Sequence, residues 1–579
     1  MKKLKELKLA GLAPEWYKIE GFKTISQGYL FKDETPKDMY IRVASSAAKH
    51  LLGDSKSILG LTQDQLQELF FTTLWNNWLC PASPVLSNSG LSRGLTISCF
   101  GITPQDSISS IMAGASELAA LTKVGGGVGV SFDAIRPRGT PIKGGDNGST
   151  EGIIPFAKIY DSTIIGINQG SRRGAAVINL NVNHKDFPEF LDMRKPKGDI
   201  HRQCGNIHHC ALIPDEFLER VFSGDLEAQD TWSKILKTRF ETGEPYIVYI
   251  DTVTRADPDS YKALGLKTNL TNLCSEITLH TDEDHSFICC LSSLNLANWE
   301  EWKTFESHGL TLPQIATLFL NGVLNEFIQK GSTIPNLEKV VRHAKKGRAI
   351  GIGVLGWHTL LQEKGIPFES FNAMQLNSQI FRFIDSDSLK TTKALAQELG
   401  EPEWCVGSGR YNSHRIAIAP TRSNSTISGG VSFGIEPMIS NAFTDKSSKG
   451  LFYRKNPLLK KVLKEKYDQD NKKVWKTIIR AEGSVQGLDF LSPEDKEVFL
   501  TAYEINPQAL IRQAAQRQKY VCQSQSLNLF FNKDVDPVFY NQTHLLAWKL
   551  GVKTLYYCRS EAGLKVTTVG SDECKACES

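Results

Sequence analysis

Asn272, Cys274 and Glu276 occupy alternate positions of the stretch TNLCSEITL, residues 271–279. An amide orients, a thiol reacts and a carboxylate takes protons, so the three could form an active-site cluster. The stretch reads as extended, and in an extended chain side chains i, i+2 and i+4 point to one side. Leu273, Ile277 and Leu279 then remain for packing. A plain strand with its polar side in water has the same pattern, so this stretch alone leaves both readings open.

The chain carries 12 cysteines. In a reducing compartment such thiols are buried, catalytic or metal-binding rather than joined in structural disulfides. Cys99 lies in TISCF, Cys289 and Cys290 in SFICCLSSLNLANW, and Cys574 and Cys577 in CKAC. Two thiols at the CKAC spacing can close a disulfide, and a flexible tether raises their effective concentration at a nearby site. Zinc is the competing use. A closed zinc site needs four ligands, and the pair adds only Cys558, so no metal is expected. Tyr556 and Tyr557 stand in tandem in KTLYYC. Cys80, Cys204, Cys210, Cys405 and Cys522 show no partner pattern and read as small buried hydrophobes.

These groups need elements to position them. The 579 residues can bury a large core and suggest roughly three or four domains. A formal net charge of +4, with no long run of like charges, argues against a nucleic-acid surface. No stretch approaches the ~18–20 apolar residues that span a bilayer. The basic start, MKKLKELKLAGLAPEW, lacks the apolar core of a signal peptide. A soluble cytoplasmic protein with no membrane or nucleic-acid partner is expected.

Apolar residues at three- and four-residue spacing predict helices over 37–80. CPASPVLSNSGLSRGLTISCF reads as a loop that enters a strand. A helix is predicted from Asp106, with Asp106 as its cap and Gly125 at its end. Its packing face would be Ile108, Ile111, Met112, Ala115, Leu118 and Ala119. GVGVSF alternates as a strand. Strands and helices keep alternating to about residue 450, the pattern of an α/β protein with a parallel sheet or barrel. GIGVLG, residues 351–356, matches a dinucleotide fingerprint, but KKGRA precedes it and no well-placed acidic residue follows. Packing glycines are the better reading. The lysine-rich stretch 455–480 reads as a solvated helix face, and residues 561–579 as a mobile tail.

NLCSEI, CCLSSLNL, TISCF, NQGSRRGAA, APTRSNSTISGGVSFGIEP and KTLYY with its CxxC tail occur together in this chain. With them the chain resembles the large, catalytic subunit of a class I ribonucleoside-diphosphate reductase, from about residue 10 to the end. The resemblance implies an α/β fold. A helical domain would cover 1–95, and a ten-stranded α/β barrel with a catalytic finger loop inside would cover 96–553. Radical-transfer tyrosines and a redox tail would fill 554–579.

The resemblance also implies the chemistry: reduction of ribonucleoside diphosphates to 2′-deoxyribonucleoside diphosphates, the precursors of DNA synthesis. A thiyl radical on Cys274 would abstract the ribose 3′-hydrogen. Glu276 would take the 3′-hydroxyl proton, and Asn272 would hydrogen-bond the ribose. Cys99 and Cys289 would supply two electrons by closing a disulfide, with Cys290 in a variable place of the motif. Cys574 and Cys577 would re-reduce that disulfide, recharged by thioredoxin or glutaredoxin. Tyr556 and Tyr557 would carry the radical in from a metal-containing small subunit. No tightly bound cofactor is implied for this chain.

Ser83, Ser98 and the loop Thr421, Arg422, Ser423, Asn424 and Ser425 would hold substrate, the loop facing its diphosphate. Asp106 and Arg136 would bind a deoxynucleotide or ATP effector at a homodimer interface. Gln169, Arg172 and Arg173 would relay effector identity to the substrate base. Nothing corresponds to the ATP-binding domain that precedes the catalytic body in many relatives, so specificity control without dATP shut-off is implied. A cobalamin-dependent reductase shares the barrel and cysteines, but the tandem tyrosines argue against it. A silent nucleotide-binding homologue would not need Cys99, Cys274, Cys289 and Glu276 together.

Overall fold

The computed structural model describes residues 2–142, 148–169, 172–196, 198–447 and 450–560. Helices Pro36–Leu52 and Gln63–Trp75 both open on capping boxes, Thr35 with Asp38 and Thr62 with Gln65. Helix Pro36–Leu52 lies on helix Leu312–Gly331. The two approach so closely that a Cβ on Gly322 would come 2.1 Å from the Ala47 carbonyl oxygen. The stretch expected as a loop after Cys80 contains a short helix, Ser83–Asn88. Pro84 in its first turn supplies the fixed φ that starts it.

Among the described residues nine strands form one sheet. They are β1 (Leu79–Pro81), β2 (Cys99–Ile102), β3 (Gly127–Ser131), β4 (Ala175–Asn181), β5 (His208–Ile213), β6 (Tyr246–Tyr249), β7 (Phe287–Asn295), β8 (Ile350–Leu355) and β9 (Thr554–Leu555). Strands β2 to β6 run parallel in chain order. They read as nearly continuous buried runs, as strands covered on both faces must. At one end β2 pairs antiparallel with β7, and β7 pairs parallel with β8. At the other end β6 pairs antiparallel with β9.

Two short extended segments close the ring. Ile416 bridges Ile352 of β8, and Gln525 bridges Ile418. The Gln523 and Ser526 amides donate to the carbonyls of Ile416 and Ile418. The Thr554 hydroxyl donates to Gln525 O, and Tyr556 N to Leu527 O, which joins this segment to β9. The barrel therefore has ten staves in two parallel halves: β2–β6, then β7, β8, 416–418, 523–527 and β9. The halves are antiparallel to each other, and β1 lies outside on β7. GIGVLG falls within and just after β8. A Cβ on Gly353 would meet Ala417 O at 2.8 Å, so this is a packing glycine.

Helix Ile108–Lys123 is capped by Ser107, whose hydroxyl accepts from Ser110 N, and not by Asp106. Both residues are good caps, and Asp106 is engaged with Arg136 instead. Its buried face is Ile111, Ala115, Leu118 and Leu121, packed on helix Ile153–Gly166. Ile108 and Met112, expected inside, are 65% and 47% exposed. Past residue 455, helices Pro457–Glu465 and Lys472–Arg480 bury Leu459, Leu463, Trp475 and Ile478 and expose their lysines, as expected of a lysine-rich solvated face. Among the described residues no helix is long and apolar enough to cross a membrane.

Candidate active site

A two-stranded ribbon, Thr268–Thr271 with Thr278–His280, reaches into the barrel. Asn179 of β4 grips its tip. The Asn179 Nδ2 donates to Thr271 O at 3.3 Å, and its Oδ1 accepts from Thr271 N at 3.3 Å and Thr271 Oγ1 at 3.2 Å. Gly129 of β3 allows the approach, since a Cβ there would lie 1.9 Å from Thr271 O. From the other half-barrel Ser524 N donates to Glu276 O at 2.9 Å. Ser526 Oγ donates to Cys274 O at 2.6 Å and approaches Glu276 Oε2 at 3.2 Å. Both halves of the barrel thus fix the loop 272–277.

That loop is not extended, which corrects the alternating-strand expectation. Ser275 has φ +66°, its N–H donates to Asn272 O at 3.1 Å, and Ile277 N donates to Asn272 Oδ1 at 3.1 Å. A left-handed residue and an amide clasp, not strand periodicity, bring the three groups together. Asn272, Cys274 and Glu276 are 1%, 4% and 1% exposed, so the water-facing reading fails. Asn272 Nδ2 is buried beside the Glu276 carboxyl and the Cys99 thiol but makes no well-formed hydrogen bond to either, which leaves it a donor for a bound hydroxyl. Burial pushes the Glu276 carboxyl up to about 7, offset first by the Asn272 side-chain amide and less by its own backbone N–H and the Ser526 hydroxyl. A carboxyl held there can both take and return a proton at neutral pH.

Cys99 Sγ lies 4.0 Å from Glu276 Oε1. Cys99 of β2 and Cys289 of β7 are direct register partners. Gln523 Nε2 approaches Cys289 Sγ at 3.4 Å. Cys290, on the next position of the strand, faces the other way, with its Sγ 3.7 Å from Leu320 O of the covering helix. Burial raises the pKa of Cys99 and Cys289, which keeps both as protonated thiols at neutral pH.

Cys274 shares one buried cluster with Tyr556 and Tyr246, and Tyr557 packs against it. The Tyr556 and Tyr557 ring centroids are 4.4 Å apart at 55°. The Arg559 guanidinium sits 4.4 Å from the Tyr557 ring centre. Cys574 and Cys577 lie outside the described residues.

Thr421 opens the short helix Arg422–Ile427 at φ +57°. Among the described residues it is the only β-branched one at positive φ, a conformation its neighbours must enforce. Its Oγ1 accepts from Gly434 N at 2.8 Å and lies 3.1 Å from Ser425 Oγ. Asn424 Nδ2 donates to Pro81 O, and Ser83 Oγ pairs with Tyr29 Oη at 2.8 Å. Ser83, Ser98, Ser423, Asn424 and Ser425 are all buried. The N-terminal domain clamps this loop: a Cβ on Gly21 would meet Ile427 O at 2.8 Å.

Asp106 and Arg136 form an ion pair at 2.7 Å, each side chain about one-third exposed. Asp106 also accepts from Arg136 N. Gln169, Arg172 and Arg173 sit in a small antiparallel ribbon, Asn168–Gln169 with Arg172–Arg173; their side chains lie outside the description. Sequence reasoning missed Asn179, Tyr246, Gln523, Ser524 and Ser526. The run QSQS, polar yet followed by strand-like LNLFF, was the available signal for the last three; all of 523–526 is buried. Among the described residues no group of metal-ligating side chains could hold an ion.

Comparison with known proteins bears on these groups. The pattern of the ribonucleotide reductase all-alpha domain matches residues 16–94, and that of the ribonucleotide reductase barrel domain matches 97–226, 222–408 and 403–558. The chain belongs to the ribonucleotide reductase large-subunit family. A putative ribonucleoside-diphosphate reductase large subunit of Frog virus 3 is 36% identical over 526 residues, 86% of this chain and 90% of that one. The large subunit of Invertebrate iridescent virus 3 is 32% identical, covering 96% of this chain and 98% of that one. The class Id alpha subunit of Actinobacillus ureae superposes with a TM-score of 0.85 at 37% identity, over 95% of this chain and 98% of that chain. This reductase large subunit is of class I and reduces ribonucleoside diphosphates to 2′-deoxyribonucleoside diphosphates.

Proposed function

We propose that the reductase works by a thiyl radical on Cys274, made through Tyr557 and Tyr556 with an oxidising equivalent from a separate small subunit. Tyr556–O• takes a hydrogen atom from Cys274–SH, leaving Cys274–S•. That radical abstracts the ribose 3′-hydrogen while Glu276 accepts the 3′-hydroxyl proton and Asn272 Nδ2 holds the ribose. The 2′-hydroxyl leaves as water. Cys99 and Cys289 give two electrons and two protons and close a disulfide. Cys274 then returns the hydrogen to C3′. The observation that carries this reading is the place of Cys274: one buried cluster with Tyr556, on a loop whose Glu276 reaches Cys99. Holding the reacting groups at contact in this way can supply a substantial share of the rate enhancement.

The diphosphate is assigned to the Thr421–Ser425 loop with Ser83 and Ser98. Cys574 and Cys577 are assigned to reduction of the Cys99–Cys289 disulfide, with thioredoxin or glutaredoxin as the final donor. Asp106 and Arg136 are assigned to a deoxynucleotide or ATP effector, and Gln169, Arg172 and Arg173 to its relay. The exposed Ile108 and Met112, with Ile165 on the adjoining helix 51% exposed, support a homodimer built on these two helices.

CDP reduction by purified protein with dithiothreitol and ATP tests the reading. The arms are no addition, adenosylcobalamin, and the cognate small subunit. Activity with the small subunit alone, lost in Cys274→Ser and Tyr556→Phe, is expected. Activity with adenosylcobalamin alone would overturn the tyrosine relay while keeping the thiyl chemistry.

A further inference from the structure

We infer that Tyr246 is a positioning residue for radical transfer, the third ring that fixes the geometry of Tyr556 and Tyr557. The inference rests on the relay reading of that pair. Tyr246 is fully buried at the start of β6. Strand β9 pairs with β6 in the register Thr554↔Val248 and Leu555↔Ile247. One step further along that register sets Tyr556 opposite Tyr246, a cross-strand pair. The ring centroids of Tyr246 and Tyr556 are 4.7 Å apart at 52°, and those of Tyr246 and Tyr557 4.9 Å at 84°. With 4.4 Å between Tyr556 and Tyr557, the three rings form a nearly equilateral triangle. Such tilted and edge-on contacts are the favoured arrangements for aromatic pairs.

The triangle is held from behind. His208 stacks on Tyr246 at 6.0 Å and meets Tyr557 edge-on at 6.2 Å. Glu244 Oε1 lies 2.6 Å from His208 Nδ1, and Arg194 pairs with Glu244 at 3.3 Å. Arg239, fully buried, uses one nitrogen, Nη1, to bond both Pro245 O and Tyr556 O at 2.6 Å. One guanidinium thus ties the residue before Tyr246 to the backbone of Tyr556. A core site with this many constraints cannot lose a ring without its neighbours shifting.

The test uses the complete complex of large and small subunits with CDP and ATP. Turnover is measured, and 3-aminotyrosine at position 556 reports radical arrival by its EPR signal. In Tyr246→Leu both are expected to fall roughly ten-fold or more, while CDP and effector binding stay within about two-fold. Tyr246→Phe, which keeps the ring, is expected to restore both to within about three-fold. Should the leucine variant also lose nucleotide binding, Tyr246→Met fills the site without a ring and carries the same expectation. A ringless variant that binds nucleotide and transfers the radical normally would overturn the inference. So would a phenylalanine variant as impaired as leucine, since the phenol and not the packing would then matter. An active Tyr556→Phe control would instead strike the relay reading itself.

Discussion

Cys99 and Cys289 face each other as register partners on antiparallel strands β2 and β7. Cα atoms so placed lie about 4.5–5.5 Å apart, inside the range a disulfide spans. Cys290 is adjacent in sequence but lies on the opposite face, against the helix Leu312–Gly331. After a single turnover without external reductant, peptide mapping is expected to find a Cys99–Cys289 disulfide and no Cys290 link. Cys99→Ser and Cys289→Ser should abolish multiple turnover, whereas Cys290→Ala should keep it and lose only some stability. A Cys290 disulfide in the mapping would refute the assignment.

Glu276 sets a second expectation. Burial holds its carboxyl up at about 7, so the base form grows as pH rises through 7. The pH profile of kcat/KM for CDP should rise with an apparent pKa near 7, and Glu276→Gln should remove both the activity and that limb. The stability effect has the opposite direction. A raised carboxyl pKa contributes stability below the unfolded value of about 4.3, and this is lost as pH rises through the folded value of about 7. Denaturant midpoints of wild type and Glu276→Gln should therefore diverge as pH rises from about 4.3 to about 7 and stay apart above it, with the glutamine form the more stable of the two.

The reach of the sequence follows from these residues. Asn272, Cys274 and Glu276 were legible by type only as candidates, and the resemblance carried by the whole set of motifs decided for them. Their convergence was misread, since Ser275 carries no local sign of its left-handed backbone. The helix from Ile108 was legible by period, yet period cannot say that one neighbouring helix covers only part of its apolar surface. Cys289 was preferred to Cys290 only through the resemblance; the physical reason, that the two face opposite sides of β7, needs the strand register. The staves at 416–418 and 523–527 were invisible because they are too short for alternation to emerge, and Tyr246 becomes a neighbour of Tyr556 only through pairing across some three hundred residues.

Gly129 makes the finger loop possible, and its replacement is a direct test of that placement. A Cβ at this position would stand 1.9 Å from the Thr271 carbonyl oxygen, with no flexible side chain to yield. Gly129→Ala must push apart β3 and the ribbon, at a cost of typically about 1–3 kcal/mol, and must move Cys274 with it. CDP reduction should fall by roughly a hundred-fold for a displacement near 1 Å. Gly205→Ala is the control, because nothing lies within 4 Å of a Cβ there and its φ is ordinary. Equal activity of the two variants would mean that the ribbon is not packed against β3 as described.

The ion pair of Asp106 with Arg136 separates stability from regulation. Both side chains are about one-third exposed, so the pair contributes no more than about 1 kcal/mol. Asp106→Ala should accordingly leave the unfolding midpoint almost unchanged. Its effect on effector response should be large, because Asp106 also anchors the Arg136 backbone beside the cap of helix Ile108–Lys123. The measurement is the ratio of CDP to GDP reduction with ATP and with dTTP as effectors. Wild type is expected to change this ratio between effectors, and Asp106→Ala and Arg136→Ala to flatten it. Linkage adds an independent check: substrate must alter effector affinity by the same factor that effector alters substrate affinity. Equilibrium binding of dTTP with and without GDP should show that factor in wild type and its loss in both variants. A variant that keeps the full factor would remove these two residues from the effector site.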